Sequence, residues 1–426
     1  SHCCSSVQGI PMPSFSEKVF SPFQRPVKRL DARTASPEEW ALRHDGRCPV
    51  LLEHALETAA PWHAADWESL LLERHHDREV QYFVRKNQDA PPHYGFEPHV
   101  GKLGHVWHEA MAASDHAAPV HFIDEVLLQG ELAEAIRGRL PAFMQQNHFT
   151  EEAFVRTADM DVSSMAVIRG GRGTRSEFHV DHLDWVGWNV LLRGEKMWKW
   201  WKRTPENARL LGQEWVPKFR RRHRLGLAAG CLSATDAFAD PVPGCPGTFI
   251  PRLSPHGIGG ALPPPDFETV QRAGEMVVFP GGWWHQVYHV TDTVAIASQY
   301  CNDRTLPGVL AHVLRWCGLP PAGAGALLRR LEGRGAGERV AEALSVALIL
   351  RSFSSDLQRR EGRLQQIEER LGMPRGALSD TSLGPPLEQQ EDIHHASGQV
   401  QPRRAAALAR AAAPAVSTLR CGRQLW

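Results

Sequence analysis

The sequence has few cysteines, no long apolar run and no excess of charge of either sign. Its eight cysteines are scattered over 426 residues and none belongs to a CxxC pair, so neither a disulfide framework nor a zinc-ribbon site is expected. No run of about 18 apolar residues occurs, and no membrane span is expected. Lys and Arg number 48, as do Asp and Glu, which gives no overall attraction to nucleic acid or membrane. These absences favour an intracellular protein, nuclear or cytoplasmic, with reduced thiols.

The remaining composition is that of a folded protein. Hydrophobic residues make up 42% of the chain and charged residues 23%. The length is enough for one large domain with appendages. Changes in composition predict, in order, a flexible lead-in (1–35), an N-terminal α/β part (36–140), a mainly β domain (141–305) with an irregular insertion at about 205–265, a helical region (306–375) and a tail of low order (376–426).

Short strand-like runs separated by Gly and Pro dominate residues 164–303. Many short strands with tight turns predict a sandwich or barrel. The predicted strands are 165–168, 178–181, 188–192, 196–201, 276–279, 286–290 and 294–299. Outside this region the patterns predict helices at 62–75, 124–139, 324–331 and 340–372, and strands at 48–52 and 80–84.

A histidine and a carboxylate lie two positions apart within one predicted strand. Residues i and i+2 of a strand point to the same face, so His179 and Asp181 would present an imidazole and a carboxylate side by side. A pair of this kind is common by chance and is weak evidence alone.

A second segment strengthens the case for a metal site. An apolar strand is followed by Pro280-Gly281-Gly282, two tryptophans and His285. Two histidines and one carboxylate form the facial triad of non-haem iron(II) oxygenases, which leaves three positions for a bidentate oxoacid and dioxygen. The same ligands also suit zinc or manganese in a cupin-like hydrolase or isomerase, which is the alternative from the residues alone.

The combined motifs resemble one family. His179-x-Asp181, Trp188-Asn189-x-Leu191, Gly194-x-Lys196 and the segment ending in His285 are similar to the Jumonji-C (JmjC) oxygenases that depend on iron(II) and 2-oxoglutarate. The nearest branch is the phosphatidylserine-receptor-like one, described as lysyl hydroxylases and arginine demethylases. The resemblance covers about residues 164–303 and makes 141–305 the expected JmjC domain. It implies a mainly β fold: a double-stranded β-helix (jelly-roll, cupin-like) core with flanking N-terminal α/β elements and C-terminal helices.

The resemblance also implies roles for individual residues. His179, Asp181 and His285 would hold Fe(II), and dioxygen would take a remaining coordination position. Lys196 occupies the place of the lysine that binds the distal carboxylate of the cosubstrate 2-oxoglutarate. Ser176 and Asn189 match polar residues that orient this cosubstrate. The implied reaction is hydroxylation or N-demethylation of a protein lysine or of methylated arginine or lysine.

Two departures from the branch keep other functions open. An ungapped match puts Ala297 and Gln299 where the branch has a threonine and an asparagine near the cosubstrate. A catalytically silent binding protein of the same fold is therefore one alternative. An RNA-modifying oxygenase is another, because members of this fold act on varied substrates. His289 shares a face with His285 if the strand is regular. It could line the pocket, but packing or support of the site is favoured for it.

A basic cluster and a set of tryptophans need separate explanations. Lys218–Arg224 lies in the predicted insertion and fits a solvated loop best, with a nucleic-acid partner or a nuclear address as the other interpretation. The tryptophans of the β region are expected in the core and the pocket wall because they lie within strand patterns. A protein substrate is the expected partner, and the oligomeric state is left open.

Overall fold

The fold follows from a computed structural model that describes most of the chain. The described residues are 26–57, 64–85, 96–110, 120–154, 164–176, 178–181, 183–204, 206–207, 214–216, 230–233, 237–238, 263–352 and 357–378. The basic cluster at 218–224 and nearly all of the predicted tail lie outside these residues, so both interpretations stay predictions. The segment assigned to the lead-in contains one described strand, at Lys28–Asp31.

Strands form most of the regular structure before residue 301. In the described part of the chain they are β1 (Lys28–Asp31), β2 (Val50–Glu53), β3 (Glu79–Arg85), β4 (Phe96–Lys102), β5 (Val120–Leu128), β6 (Met165–Gly170), β7 (Phe178–Val180), β8 (Val186–Arg193), β9 (Glu195–Trp201), β10 (Glu214–Val216), β11 (Gly230–Ser233), β12 (Phe267–Arg272), β13 (Met276–Pro280), β14 (Trp284–His289) and β15 (Thr293–Tyr300). The seven strands predicted between 164 and 303 are confirmed to within two residues at each end.

These strands form two sheets that pack against each other. The larger has the order β1-β2-β13-β8-β15-β6-β5-β3-β4, and the smaller has the order β10-β11-β7-β14-β9-β12. Pairing is antiparallel except between β1 and β2. Trp198 and Trp200 from the smaller sheet share one core cluster with Val277 and Phe279 from the larger. The mainly β, jelly-roll expectation is confirmed.

Strands in the middle of the larger sheet are buried on both faces. In β8, every residue from Val186 to Leu192 is buried, as expected for a strand covered on both sides. β5 instead alternates between buried and half-buried residues over its first six positions. Its half-buried face looks into the space between the sheets, where the candidate site lies.

One predicted helix is wrong in its first half. Residues 124–139 were predicted as one helix, but Asp124 to Leu128 complete β5 and the helix begins only at Glu131. Pairing with β3 and β6 stabilises the strand, and such tertiary contacts override a weak local preference for helix. Gly130, at φ 59°, separates the two elements in a conformation that costs glycine little.

Helices lie mainly after the β core. The described helices of seven residues or more are α1 (Ala64–His75), α2 (Glu131–Arg137), α3 (Leu306–Trp316), α4 (Pro321–Leu331), α5 (Ala336–Ser352) and α6 (Leu357–Leu371). Shorter helical turns occupy Pro37–Glu39, Trp40–His44, Leu103–His105, Val106–Ala110, Ala142–Met144 and His148–Thr150. α3 buries residues at the spacing i, i+3, i+4, i+7 and i+8. None of the described helices is long and apolar enough to cross a membrane.

The turn between β13 and β14 is tight because glycine allows close contact with a neighbouring loop. A Cβ atom on Gly281 would lie 2.4 Å from the backbone carbon of Asp184 and from the carbonyl oxygen of Trp185. Gly282 follows at φ 74°, which a residue with a side chain rarely adopts. The turn therefore holds the start of β14 against residues 184–185.

Replacing Gly281 with alanine should destabilise the fold by about 1–3 kcal/mol, because the added methyl group meets backbone that has little room to move. Urea unfolding measures the change. Gly362→Ala is the matched control: Gly362 lies within α6 with open space around its Cβ position, so alanine should stabilise that helix slightly. Equal effects of the two substitutions would contradict the close contact.

Candidate metal centre

Two histidines lie opposite each other on neighbouring strands. β7 and β14 pair antiparallel, with His179 facing His285 and Val180 facing Trp284. The two imidazole rings are 4.2 Å apart between centroids. Their side chains project from the smaller sheet into the space between the two sheets, where both line one cavity.

Asp181 completes a group of three potential ligands. It follows the last residue of β7, and its Oδ1 lies 3.4 Å from His179 Nε2 and 3.9 Å from His285 Nε2. One ligand atom from each of the three residues lies within 4.8 Å of the others. Adjacent ligands of an octahedral ion with bonds near 2.1 Å are roughly 3 Å apart, so a small inward movement would bring the three onto one metal.

The hydrogen bonds and burial of His285 favour metal ligation. Its Nδ1 donates to the carbonyl oxygen of Trp283 at 3.1 Å, so the tautomer leaves Nε2 as the ligand atom. Burial, together with the nearby His179, lowers the pKa of His285 to about 4. The ring is therefore neutral near pH 7, as a metal ligand must be.

The backbone after Asp181 is held by contacts to other elements. Leu183 and Asp184 both have positive φ, at 57° and 50°. The Asp184 carboxylate lies 3.5 Å from Arg203 Nη1 and 3.7 Å from Nδ1 of His312 on α3. Leu183 is buried in the apolar cluster formed by the C-terminal helices. These contacts offset the cost of the left-handed conformation and fix the position of Asp181.

The three candidate ligands line a cavity of about 290 Å³, near the lower end of the range for ligand sites. His285 is buried, and the other two are partly accessible. His179 and Asp181 keep 28% and 22% of their side-chain area exposed. Lys196 and His289, which line the same cavity, are only 1% and 2% exposed. One side of the cavity is thus accessible and the other is closed.

Lys196 is a buried cation. Its Nζ donates to Asn189 Oδ1 at 3.4 Å, and no acidic side chain among the described residues forms an ion pair with it. Burial lowers the pKa of its ammonium group to about 7. An uncompensated cation at the closed side of a cavity is suited to bind one end of an anionic ligand.

The structure brings the other predicted residues to the same cavity. Ser176 lines it, and its Oγ accepts a hydrogen bond from the Val287 N–H at 3.0 Å. Asn189 lines it from β8. Ala297 and Gln299 lie on β15, which pairs with β8 so that Ala297 faces Asn189. The position where the branch has a hydroxyl is therefore in the cavity wall, and here it is a methyl group.

The tryptophans follow the prediction that they form core and pocket wall. Trp188 and Trp198 line the cavity, and Trp200 stacks on Trp198 with ring centroids 5.3 Å apart. The indole N–H of Trp198 donates to Gln271 Oε1 at 2.8 Å, which satisfies this buried polar group.

Sequence reasoning missed three residues of the cavity and its support. His121 and Glu125 lie on β5, in a region before the recognised motifs, and both line the cavity. Asp184, three positions after Asp181, anchors the loop that follows the ligands. Recognition of β5 as an alternating strand would have indicated the first two residues, but Asp184 lies in an irregular loop and has no sequence signal.

The three ligands fit an iron(II) ion by their chemistry. Two imidazole nitrogens and one carboxylate oxygen that line one cavity would leave the facing positions of a metal open to small ligands. Other divalent first-row metals bind such a set, so ligand type alone does not select iron over zinc.

Replacing Asp184 with asparagine should weaken metal binding about tenfold, because the loop loses its ionic anchors while asparagine still tolerates positive φ. Titration with Mn(II) under anaerobic conditions measures the change. Asp77→Asn removes an exposed surface ion pair outside the cavity and should leave affinity unchanged. An unaltered affinity of the Asp184 variant would show that its anchors do not position the ligands.

Comparison with known proteins identifies relatives, although no family model matches the chain. It is 30% identical over 143 residues to the 2-oxoglutarate and iron-dependent oxygenase JMJD4 of Mus musculus (34% of this chain, 27% of that protein). It is 29% identical over 167 residues to JMJD4 of Homo sapiens (39% of this chain, 33% of that protein). It is also 23% identical over 164 residues to the arginine-specific demethylase JMJ22 of Arabidopsis thaliana (38% of this chain, 28% of that protein).

The matched segments span 27%, 33% and 28% of the lengths of these relatives. Their names agree with the chemistry of the His-Asp-His group, which suits iron. Over about a third of its length, the chain is thus similar in sequence to proteins named as 2-oxoglutarate and iron-dependent oxygenases and as an arginine-specific demethylase.

Proposed function

We propose that the chain is a dioxygenase that uses Fe(II) and 2-oxoglutarate to hydroxylate or N-demethylate a cationic side chain of a protein substrate. One observation carries the proposal: a His-Asp-His group, two of whose members are partly accessible, and a buried lysine line one cavity. A metal ion held by the His-Asp-His group would bind the oxoacid end of an oxo-dicarboxylic acid, and the lysine would bind the carboxylate at its other end.

In this proposal His179, Asp181 and His285 hold the iron. The bound metal supplies the activation of dioxygen that couples decarboxylation of 2-oxoglutarate, to succinate and carbon dioxide, to insertion of one oxygen atom into a substrate C–H bond. The protein supplies no general acid, base or nucleophile for this reaction. The carbonyl of Trp283 keeps His285 in the ligating tautomer.

The cosubstrate is oriented by the closed side of the cavity. Lys196 binds the distal carboxylate, and Asn189 positions the ammonium group through its side-chain oxygen. Ser176 is held at the wall by the Val287 N–H, where its hydroxyl can contact the oxoacid. The apolar walls formed by Trp198 and Phe279 exclude water, which strengthens the ionic contact.

The substrate class follows from the charge of the cavity wall. Glu125 lies on β5 and lines the cavity in addition to the ligand Asp181. It accepts a hydrogen bond from the Ser164 hydroxyl at 3.4 Å. A carboxylate there would attract a guanidinium or ammonium group. The Arabidopsis thaliana relative is named an arginine-specific demethylase, which supports a basic protein side chain as substrate.

The chemistry at the substrate explains why hydroxylation and demethylation belong to one proposal. Insertion of oxygen into a carbon-bound C–H group gives a stable alcohol. Insertion into an N-methyl group gives an N-hydroxymethyl product, which releases formaldehyde and leaves the amine with one methyl group fewer.

Purified protein given Fe(II), 2-oxoglutarate and air should release succinate, and His179→Ala should lower the rate at least tenfold because one of three metal ligands is lost. Mass spectrometry of succinate measures the turnover. His76→Ala, which alters an exposed histidine outside the cavity, should leave the rate unchanged. Metal binding without succinate at any cosubstrate concentration would instead favour a catalytically silent binding protein.

Glu125→Gln should raise the KM for a cationic peptide about tenfold while kcat changes little, because the variant loses attraction for the charged side chain. Peptides with arginine, methylarginine or lysine are compared with matched neutral peptides for stimulation of succinate release. Glu134→Gln, on the exposed side of α2, is the control. A cationic preference that is unchanged in the Glu125 variant would exclude this residue as its source.

A further inference from the structure

Two histidines lie beside Lys196 at the closed side of the cavity. His289 on β14 pairs directly with Lys196 on β9, and both are almost completely buried. His121 reaches the same place from β5 of the opposite sheet, with its ring edge-on to that of His289 and the centroids 5.8 Å apart. All three side chains line the cavity.

The cluster of these three residues contains no acid. Its other neighbours are Asn189 on β8, Gln271 on β12 opposite Lys196, and Thr293 at the start of β15. The described carboxylates that line the cavity are the candidate ligand Asp181 and Glu125, which lies four residues along β5 from His121. Neither is among the causes of the altered pKa values of Lys196, His121 and His289.

The ring of His289 is fixed by its surroundings. Its Nδ1 contacts the Thr293 hydroxyl, and the ring lies where a Cβ atom on residue 170 would be, so the close packing requires Gly170. The Thr293 hydroxyl lies between Nδ1 of His289 and the carbonyl oxygen of Gly170, which is 3.4 Å away, and it has one proton to donate. In the tautomer in which Nδ1 accepts that proton, the ring carries its own proton on Nε2. No other hydrogen bond is formed by the ring among the described residues, so in this tautomer an N–H group faces a ligand in the cavity.

Burial affects the charge of all three residues. It lowers the pKa of Lys196 to about 7 and that of His121 to about 4. Burial, with the nearby Lys196 charge, also holds the pKa of His289 well below its usual range. Near pH 7 both histidines are therefore neutral hydrogen-bond partners, and Lys196 is only partly protonated.

We propose that His289 donates a second hydrogen bond to the distal carboxylate bound by Lys196, and that filling this side of the cavity takes up about one proton, so that affinity for 2-oxoglutarate falls as pH rises above neutrality. The inference rests on the proposed function. It gives His289 a role in binding the cosubstrate. In the same cavity, Ala297 presents a methyl group where the branch has a hydroxyl.

The direction of the pH effect follows from linkage. A bound carboxylate favours the ammonium form of Lys196 and raises its pKa above the value of about 7 in the free protein. Below pH 7 the lysine is already charged, so binding takes up no proton there. Between the free and bound pKa values, the Kd should rise up to about tenfold for each pH unit.

Isothermal titration calorimetry tests the proposal on the full chain loaded with Mn(II) without oxygen, from pH 6.5 to 8.5, in two buffers of different ionisation enthalpy. Wild type should take up about one proton per 2-oxoglutarate near pH 8. Pyruvate carries the same oxoacid group without a distal carboxylate, so its binding should show no such uptake and corrects for proton release at the metal.

Variants separate the two parts of the inference. His289→Leu should weaken 2-oxoglutarate binding about tenfold and leave pyruvate binding unchanged, because a buried carboxylate loses one donor. His289→Gln should recover most of the affinity, since its amide can donate from a similar position. Lys196→Met should abolish proton uptake. His44→Gln alters another buried histidine with a lowered pKa outside the cavity and should match wild type.

The outcomes distinguish the inference from the proposed function. If wild type binds 2-oxoglutarate with a Kd that is constant with pH, and His289→Leu binds it equally well, the inference is wrong and the proposed function stands. If metal-loaded wild type binds pyruvate and 2-oxoglutarate equally weakly at every pH, the closed side is not a carboxylate site and both are wrong.

Discussion

The antiparallel pairing of β7 with β14 is the contact on which the candidate metal centre depends. It sets His179 opposite His285, and the Gly281 turn can hold this register only because it packs against residues 184–185. A shift of one residue would turn His285 to the other face of the sheet. The positions of Asp181 and the cavity follow from the same register, since Asp181 continues the strand that carries His179.

The cavity has apolar walls and a few polar groups, and the walls influence the charge states of those polar groups. Burial among tryptophan, phenylalanine and aliphatic side chains keeps His285 neutral and weakens the charge of Lys196. The same low polarity makes an incoming carboxylate more effective in restoring that charge. One poorly hydrated space between the two sheets therefore keeps the imidazole neutral and makes the charge of the lysine depend on a bound carboxylate.

Local patterns were sufficient for the strands of the β core, because strand alternation and the Pro-Gly-Gly turn are local signals. The residues grouped around the metal centre were indicated instead by the resemblance of the combined motifs to the JmjC family. Local patterns failed where the outcome depended on distant contacts. The chain from Asp124 to Leu128 continues a strand whose first residues pair with β3 and β6, and it pairs with β6 at Asp124 and Leu128. His121 and Glu125 reach the cavity only because β5 joins the larger sheet, and the ionic contacts of Asp184 with Arg203 and His312 join three separate segments.

The pairing of β7 with β14 also bears on how the molecule acquires its metal. The two histidines are about one hundred positions apart, so their approach closes a long loop, which is entropically costly and slow compared with local contacts. A chain still emerging from the ribosome has no complete ligand set until β14 has been synthesised. The complete ligand set therefore forms only with the pairing of β7 and β14, and an ion bound there would stabilise that pairing by its own binding free energy.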